Sequence, residues 1–124
     1  MKHLLATLAV IVPSIALAQP APPVPLGAQA EIEHLFQYIS ATGCRFERNG
    51  TWHDTAAARA HVNMKYQYML DRGKVDSAEA FIEGAASRSS LSGKDYLVQC
   101  PGQPAVPSAG WLREELERFR GHRG

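Results

Sequence analysis

The sequence predicts an α+β fold that is mostly helical, with about four short helices and a small two- or three-stranded antiparallel sheet stapled by one disulfide. In several segments the apolar residues recur at i, i+3, i+4 and i+7, which is the period of an amphipathic helix. An Asn-Gly pair lies between two short runs of β-forming residues, which indicates a hairpin. Cys44 and Cys100 are the two cysteines of the chain, so a disulfide can join only these two.

The first eighteen residues have the features of a signal peptide. A short basic start, MKH, precedes an apolar run, and residues 16–18, ALA, supply small side chains at the positions that a signal peptidase reads. The run is shorter than the roughly 20 residues that span a bilayer, and Pro13 interrupts it. We therefore expect cleavage after Ala18, no membrane span after signal removal, and a periplasmic or secreted protein.

The rest of the chain is predicted to form one domain. Residues 19–28, QPAPPVPLGA, are rich in proline and indicate an extended linker. We expect a single globular domain over 29–120 and a flexible tail over 121–124. Removing residues 1–18 from the 124 leaves 106, which is enough for a modest core. It also removes Lys2, so twelve Lys and Arg balance twelve Asp and Glu, and the missing basic excess argues against nucleic-acid binding.

Four helices follow from the apolar periodicity and from start and stop signals. The first is predicted over 29–41. The second is predicted over 54–72, with Asp54 as its N-cap. A capping-box pattern that begins at Asp76 predicts the start of the third, and Ser108 is predicted to cap the fourth.

Short strands are predicted on both sides of the Asn49-Gly50 turn, in the segment CRFERNGTWHD, and again over Tyr96–Cys100. In this arrangement the disulfide ties the first strand of the hairpin to the last strand. Closing so long a loop restricts the unfolded chain, which stabilises the folded state by about 4 kcal/mol in the chain-entropy account.

Five ordered blocks of the sequence, CRFERNG, HVNMK, AEAFI, SRSSLSGKDYLV and WLREELERFR, resemble the YfeK-like family of small exported bacterial proteins. The resemblance extends over about residues 30 to 120. It implies export and a domain boundary but assigns no catalytic residue, because the family has no established activity. The residues that it places on matching blocks are Arg48, Asn49, Gly50, His61, Lys65, Ser87, Ser89, Ser90, Ser92 and Gly93.

Residues 86–96, ASRSSLSGKDY, form a segment rich in hydroxyl groups, which we call the serine loop. His61 and Lys65 are four residues apart and share one face of the second helix. If the third helix packs beside the second, that face meets the serine loop. The candidate binding surface then contains polar and cationic side chains of three segments: Arg48, Asn49, His61, Lys65, Ser87, Ser89, Ser90, Ser92 and Lys94. Such a surface suits an envelope protein, a peptide or a glycan.

Two alternatives stay open. In the first, a serine of residues 87–92 is the nucleophile of a small hydrolase, with His61 or Lys65 as its base. The Gly-x-Ser-x-Gly, Ser-x-x-Lys and phosphate-loop signatures are all missing from this segment. In the second, the domain is purely structural: the serines satisfy carbonyls at the end of the third helix, Gly93 adopts a left-handed conformation, and Lys65 pairs with Glu79 or Glu83.

No metal site or cofactor is predicted. His53, Asp54 and His61 are the only close set of ligand types, and they straddle a helix start rather than lie at i, i+4. The basic C-terminus, RFRGHRG, is expected to be a solvated helix end. The sequence thus predicts a small exported protein that acts as a non-enzymatic binding or protein-interaction module of the cell envelope.

Overall fold

The computed structural model describes residues 3–17 and 20–123. Within these ranges the elements follow the chain as α1 (Leu26–Ala41), β1 (Arg45–Arg48), β2 (Thr51–His53), α2 (Thr55–Asp71), α3 (Ala78–Ala85), β3 (Leu97–Gln99), β4 (Val106–Pro107) and α4 (Ser108–Arg123). The predicted α+β fold class is confirmed. The predicted cleavage point between residues 18 and 19 lies outside the described residues.

The four strands form one antiparallel sheet in the order β2-β1-β3-β4. The predicted hairpin is confirmed, because Asn49 and Gly50 both have positive φ, 51° and 84°, as a two-residue turn of the favoured hand requires. Phe46 pairs with His53 on one side and with Val98 on the other. The sequence did not indicate β4, since two residues that include a proline carry no alternating pattern.

The predicted disulfide between Cys44 and Cys100 is present. Cys44 immediately precedes β1, and Cys100 immediately follows β3. These strands are neighbours, with Arg45 opposite Gln99, so the two cysteines lie across from each other at the next position of the ladder. The bond therefore fastens the hairpin to the centre of the sheet.

The helices bury their apolar stripes in a common core. Its largest fully buried side chains come from three helices and one strand: Phe81, Ile32, Leu35, Ile39, Ile82, Leu112, Leu116 and Val98. The third helix packs beside the second: the ring centres of Tyr66 in α2 and Phe81 in α3 lie 5.2 Å apart. A Cβ atom at Gly84 of α3 would lie 2.5 Å from the Met69 side chain of α2, so this glycine permits the close approach.

The helix starts agree only in part with the sequence. The side chain of Asp54 caps α2 as predicted, since its Oδ1 accepts from the backbone N–H of Ala57 at 2.8 Å. The predicted cap of α3 was wrong by one residue: the Oγ of Ser77, not the side chain of Asp76, accepts from the N–H of Ala80. Ser and Asp are both good N-caps, so the sequence could not choose between adjacent candidates.

Ser108 is the first residue of α4, but its hydroxyl is not used as a cap. The buried hydroxyl donates to the carbonyl oxygen of Ala86 at 2.5 Å. This bond satisfies a carbonyl just beyond α3 and fastens α4 to the start of the serine loop.

The first helix begins earlier than predicted. α1 starts at Leu26 rather than near residue 29. Val24 is buried, and its carbonyl oxygen accepts from Nε2 of Gln29 at 2.7 Å. A Cβ atom at Gly73 would lie 2.7 Å from Cδ of Pro22, so this proline rests on the turn after α2. Part of the segment predicted as a linker thus packs on the domain.

Within the described ranges, no helix is both long and apolar enough to cross a bilayer.

The basic C-terminus is not simply solvated, which corrects the expectation from sequence. The guanidinium of Arg120 pairs with Glu31, Glu79 and Glu117. Its hydrogen bonds to Glu31 and Glu79 raise the pKa of Arg120 above its usual value. The reason lies in tertiary packing, since α4 lies against α1 and α3 and so meets their carboxylates.

Candidate binding site

A cavity of about 40 Å³ lies between the β1–β2 hairpin and α2, and we call it the hairpin cleft. Aliphatic and aromatic side chains form most of its wall, and polar groups complete it. The lining residues are Ile39, Phe46, Glu47, Arg48, His53, Ala58, His61, Val62, Ala86, Tyr96, Ser108 and Leu112. Arg48, His53 and His61 are among the lining residues that are half-buried, so they lie where the cavity meets the surface.

Strand geometry explains why two basic side chains lie over α2. Side chains alternate along a strand, so Arg48 and Phe46 point to the same face of β1. His53 is the cross-strand partner of Phe46 and therefore shares that face. The face carries Phe46 toward the core, where its ring meets Trp111 at 5.7 Å. Arg48 and His53 thus project from the same side of the sheet as its apolar contacts.

Helical periodicity supplies the opposite wall. Ala58, His61, Val62 and Lys65 lie at i, i+3, i+4 and i+7 of α2 and so share one face. Ala58 and Val62 form apolar wall, and His61 adds an imidazole beside them. Lys65 lies one turn further along, next to the serine loop.

Tyr96 joins His61 to Lys65. Its side chain is buried, and Oη lies 3.0 Å from Nε2 of His61 and 3.0 Å from Nζ of Lys65. Lys65 also donates to the carbonyl oxygen of Arg88 at 2.8 Å. A lysine ammonium only donates, so Tyr96 accepts from Lys65 and can give its own proton to His61 Nε2. That arrangement places the imidazole proton on Nδ1.

The surroundings of His61 favour its neutral form. Burial lowers the pKa of His61 to about 4, with further contributions from the nearby charges of Arg48, Lys65 and His53. Near neutral pH the ring is therefore uncharged, and Nε2 is free to accept the hydroxyl proton of Tyr96. The cleft contains a neutral imidazole between cationic neighbours.

Arg48 brings a positive charge to the cleft, and no carboxylate of residues 3–17 or 20–123 forms an ion pair with it. Within the part of the chain that the structure describes, its guanidinium makes no hydrogen bond or ion pair. The carboxylate of Glu47, the residue before Arg48, points to the hairpin turn, where its Oε1 accepts from the N–H of Gly50 at 3.0 Å. The guanidinium of Arg48 is thus available to an anionic group from outside.

The serine loop is folded by its own hydroxyl groups. Ser87 is buried, and its Oγ donates to the carbonyl oxygen of Ile82 at 2.9 Å, at the end of α3. Ser89 is also buried, and its Oγ accepts from Asn49 Nδ2 at 3.1 Å and from two backbone N–H groups of the loop. Gly93 has φ 73°, the left-handed conformation expected of it. These hydroxyls therefore shape a turn, as the structural alternative proposed.

Asn49 ties the serine loop to the hairpin. Besides its bond to Ser89, its Oδ1 accepts from the hydroxyl of Ser92. Ser90 and Lys94 are exposed on the outside of the loop. Of the nine predicted surface residues, the structure places Arg48 and His61 in the hairpin cleft and attaches Lys65 through Tyr96. The other six, Asn49, Ser87, Ser89, Ser90, Ser92 and Lys94, form or decorate the loop beside it.

The expected pairing of Lys65 with Glu79 or Glu83 was wrong. Glu83 pairs instead with Arg88 and Arg113, and Glu79 pairs with Arg120. Among the residues that the structure describes, no serine of the loop hydrogen-bonds to His61 or Lys65, whose polar atoms are turned to Tyr96. The nucleophile–base pair that the hydrolase alternative needs is thus not formed.

Among the cleft residues that were not in the predicted surface, Tyr96 and His53 matter most for the chemistry of the cleft. Tyr96 was predicted to lie at the end of the serine loop and at the start of a strand, but not in the binding surface. His53 was considered only as a metal ligand. Its alternation with Phe46 across the hairpin would have placed it on the inner face once the Asn49-Gly50 turn was fixed.

The fold and cleft together define a small α+β domain with a disulfide-stapled sheet and a basic cleft at its hairpin. The chain belongs to the family of unknown function DUF5329, which it matches over residues 27–120. It is also similar to the uncharacterized protein YfeK of Salmonella typhimurium strain LT2, with 41% identity over 51 residues. That match spans 41% of this chain and 41% of the relative. The resemblance to a YfeK-like family is confirmed, and no solved structure matches the chain.

Proposed function

We propose that the protein is an exported, non-enzymatic binding module of the cell envelope and that its partner binds at the hairpin cleft. The sequence of residues 1–18 supports export, because it has a basic start, an apolar run and a small-residue cleavage motif. The disulfide between Cys44 and Cys100 adds support, since such bonds form and persist in oxidising compartments.

The unpaired guanidinium of Arg48 is the observation that carries the binding proposal. Every other arginine side chain that the structure describes contacts a carboxylate, a hydroxyl, a carbonyl or an aromatic ring: Arg45, Arg59, Arg72, Arg88, Arg113, Arg118 and Arg120. Arg48 is the exception, and it lies beside the apolar cavity. An unpaired cation next to an apolar concavity is typical of a binding site.

The rigidity of the surrounding groups also supports the proposal. Arg48 is on a short hairpin that the disulfide and the β3 pairing hold in place. His61 and Lys65 are held by Tyr96, which links α2 to the end of the serine loop. A site whose walls are already fixed loses less conformational entropy when it binds a partner.

Site-specific photo-crosslinking in intact cells tests this function. A photoreactive residue at Thr51, which is exposed and directly opposite Arg48, is expected to give adducts with an envelope component. The same residue at Gln99, an exposed position on β3, serves as the matched control and should give none of these adducts. Recovery of the protein from the periplasm with Gln19 as its first residue tests export in the same cells.

The dependence on charge gives the decisive comparison. Adding Arg48→Met to the Thr51 crosslinker should abolish the adducts. Adding Arg45→Met should leave them, because Arg45 is on the same strand but points to the opposite face. Adducts that persist with Arg48→Met, or that form equally from Gln99, would rule out the hairpin cleft as the binding surface.

A further inference from the structure

We infer that the ligand of the hairpin cleft is the C-terminal end of a peptide whose last residue has a small apolar side chain. The inference deepens the proposed function and depends on it. The cleft combines an apolar cavity of limited size, an unpaired guanidinium at its side, and an open strand edge next to both.

The volume of the cavity sets the size of the apolar group. A cavity needs a volume of about 10–15 Å³ to hold one water molecule, whereas an apolar cavity that holds benzene has a volume of about 150 Å³. The hairpin cleft, at about 40 Å³, therefore has room for a methyl or a small branched group but not for an aromatic ring. Its wall of Ile39, Val62 and Leu112 offers no hydrogen bond to a polar tip.

The charges around the cavity select a carboxylate. The guanidinium of Arg48 presents a planar fork of N–H donors, which fits the two oxygens of a carboxylate. His53 lies on the same face of the sheet and adds a ring nitrogen. Lys65 has three N–H donors, and its hydrogen bonds to Tyr96 and to the carbonyl oxygen of Arg88 use two of them. Since no carboxylate of the described chain pairs with Arg48, the complementary anion has to come from the ligand.

The edge of the sheet favours a peptide over an isolated small acid. β2 is an outer strand of the sheet. Arg48 and Thr51 close the two-residue turn and so exchange both backbone hydrogen bonds, whereas the next pair, Glu47 and Trp52, does not. The N–H and C=O of Trp52 therefore point to the open edge. An extended peptide can pair with both groups while its terminus reaches Arg48.

Titration of the exported, isotope-labelled protein with short blocked peptides, followed by NMR, tests the inference. Acetyl-Gly-Gly-Ala should shift the backbone amide signals of Arg48, Trp52, His53 and His61. The same peptide with a C-terminal amide keeps the methyl group but loses the charge, and we expect it to bind at least about tenfold more weakly. Acetyl-Gly-Gly-Phe should also bind at least about tenfold more weakly, because its ring exceeds the cavity. Acetate alone should bind more weakly than the tripeptide.

Two variants separate the charge from the fold. Arg48→Met is expected to weaken binding of acetyl-Gly-Gly-Ala at least about tenfold. Arg45→Met removes the same charge from the opposite face of the strand and should leave the affinity within about twofold. Equal affinity for acid and amide, equal affinity for the alanine and phenylalanine peptides, or an unchanged affinity of Arg48→Met would each overturn the inference.

The two experiments distinguish a failure of the peptide inference from a failure of the proposed envelope function. If adducts form at Thr51 and depend on Arg48, but no peptide shifts the cleft signals at millimolar concentration, the peptide inference fails while the binding function stands. If peptides bind as expected but no adduct forms in cells, the cleft recognises carboxylates and the proposed envelope role fails.

Discussion

The hydroxyl of Tyr96 lies 3.0 Å from Nε2 of His61, and the same oxygen lies 3.0 Å from Nζ of Lys65. One buried oxygen thus joins two side chains of α2 to the residue that connects the serine loop with β3. These two hydrogen bonds hold the serine loop against the face of α2 that lines the hairpin cleft. Their loss should lower the stability of the fold and loosen the position of His61 in the cleft.

Replacing Tyr96 with Phe removes only that oxygen. Nε2 of the half-buried His61 then loses its partner, and Lys65 keeps only the carbonyl of Arg88. We expect the free energy of unfolding to fall by about 1–3 kcal/mol, the usual cost when a buried polar group is left without a partner. Urea unfolding followed by circular dichroism measures it.

Tyr68→Phe is the matched control. Tyr68 is also on α2, but it is 57% exposed. Its loss of a hydroxyl should change the free energy of unfolding by less than about 0.5 kcal/mol. Equal effects of the two substitutions would contradict the role given to Tyr96.

The lowered pKa of His61 predicts a loss of stability in acid. The imidazole titrates near pH 6.5 in the unfolded chain but has a pKa of about 4 in the folded protein. Between these values the unfolded state binds the extra proton, so this contribution to stability is complete above about pH 6.5 and is lost as the pH falls to about 4. The melting temperature should therefore drop across this window.

The variant His61→Gln isolates that contribution. Glutamine does not titrate, so the difference in melting temperature between pH 7 and pH 4.5 should be smaller in the variant than in the wild type. Glu79 and Glu83, whose pKa values arginine hydrogen bonds lower, titrate in both proteins and cancel in the comparison. A drop of equal size in both proteins would show that burial and the nearby charges do not hold His61 neutral.

Adjacent serines of the loop should differ sharply. Ser89 is 4% exposed, and its Oγ accepts three hydrogen bonds, whereas Ser90 is exposed. Ser89→Ala should lower the free energy of unfolding by about 1–3 kcal/mol, and Ser90→Ala by less than about 0.5 kcal/mol. Thermal unfolding of the two variants side by side decides this. A larger effect at Ser90 would point to a role for the loop other than a turn.

The disulfide should contribute a separate share of stability. Replacing Cys44 and Cys100 with alanine, like reduction of the wild type, is expected to lower the free energy of unfolding by about 2–4 kcal/mol, since the bond joins residues 56 positions apart. Mass spectrometry of the unreduced protein should show one linked peptide pair. No change in stability on reduction would mean that the β1–β3 ladder holds without the bond.

Sequence reasoning recovered the features that depend on local signals. The apolar periods located the four helices, and the Asn49-Gly50 pair located the hairpin, because one face of each helix and the sign of φ in the turn are encoded within a few residues. The disulfide followed from the count of cysteines. The ends of the elements were not fixed by local signals, since Asp76 and Ser77 are adjacent residues that are equally suited to cap α3.

The candidate site was recovered only in part, because it depends on packing between distant segments. The packing of α3 beside α2, on which the predicted surface was conditional, is observed. The partner of Lys65 was not predicted: Tyr96, 31 residues away, takes the place that the structural alternative gave to a glutamate. The serines looked like the functional groups, but their hydroxyls are used by the loop itself. The unpaired state of Arg48 can be recognised only once the positions of all the carboxylates are known.

A crystal structure of the protein with acetyl-Gly-Gly-Ala would test the central claim most directly. We predict that the carboxylate pairs with the guanidinium of Arg48, that the methyl group lies in the cavity between the hairpin and α2, and that the peptide backbone pairs with Trp52. A peptide bound elsewhere, or one whose carboxylate points away from Arg48 into solvent, would contradict the account.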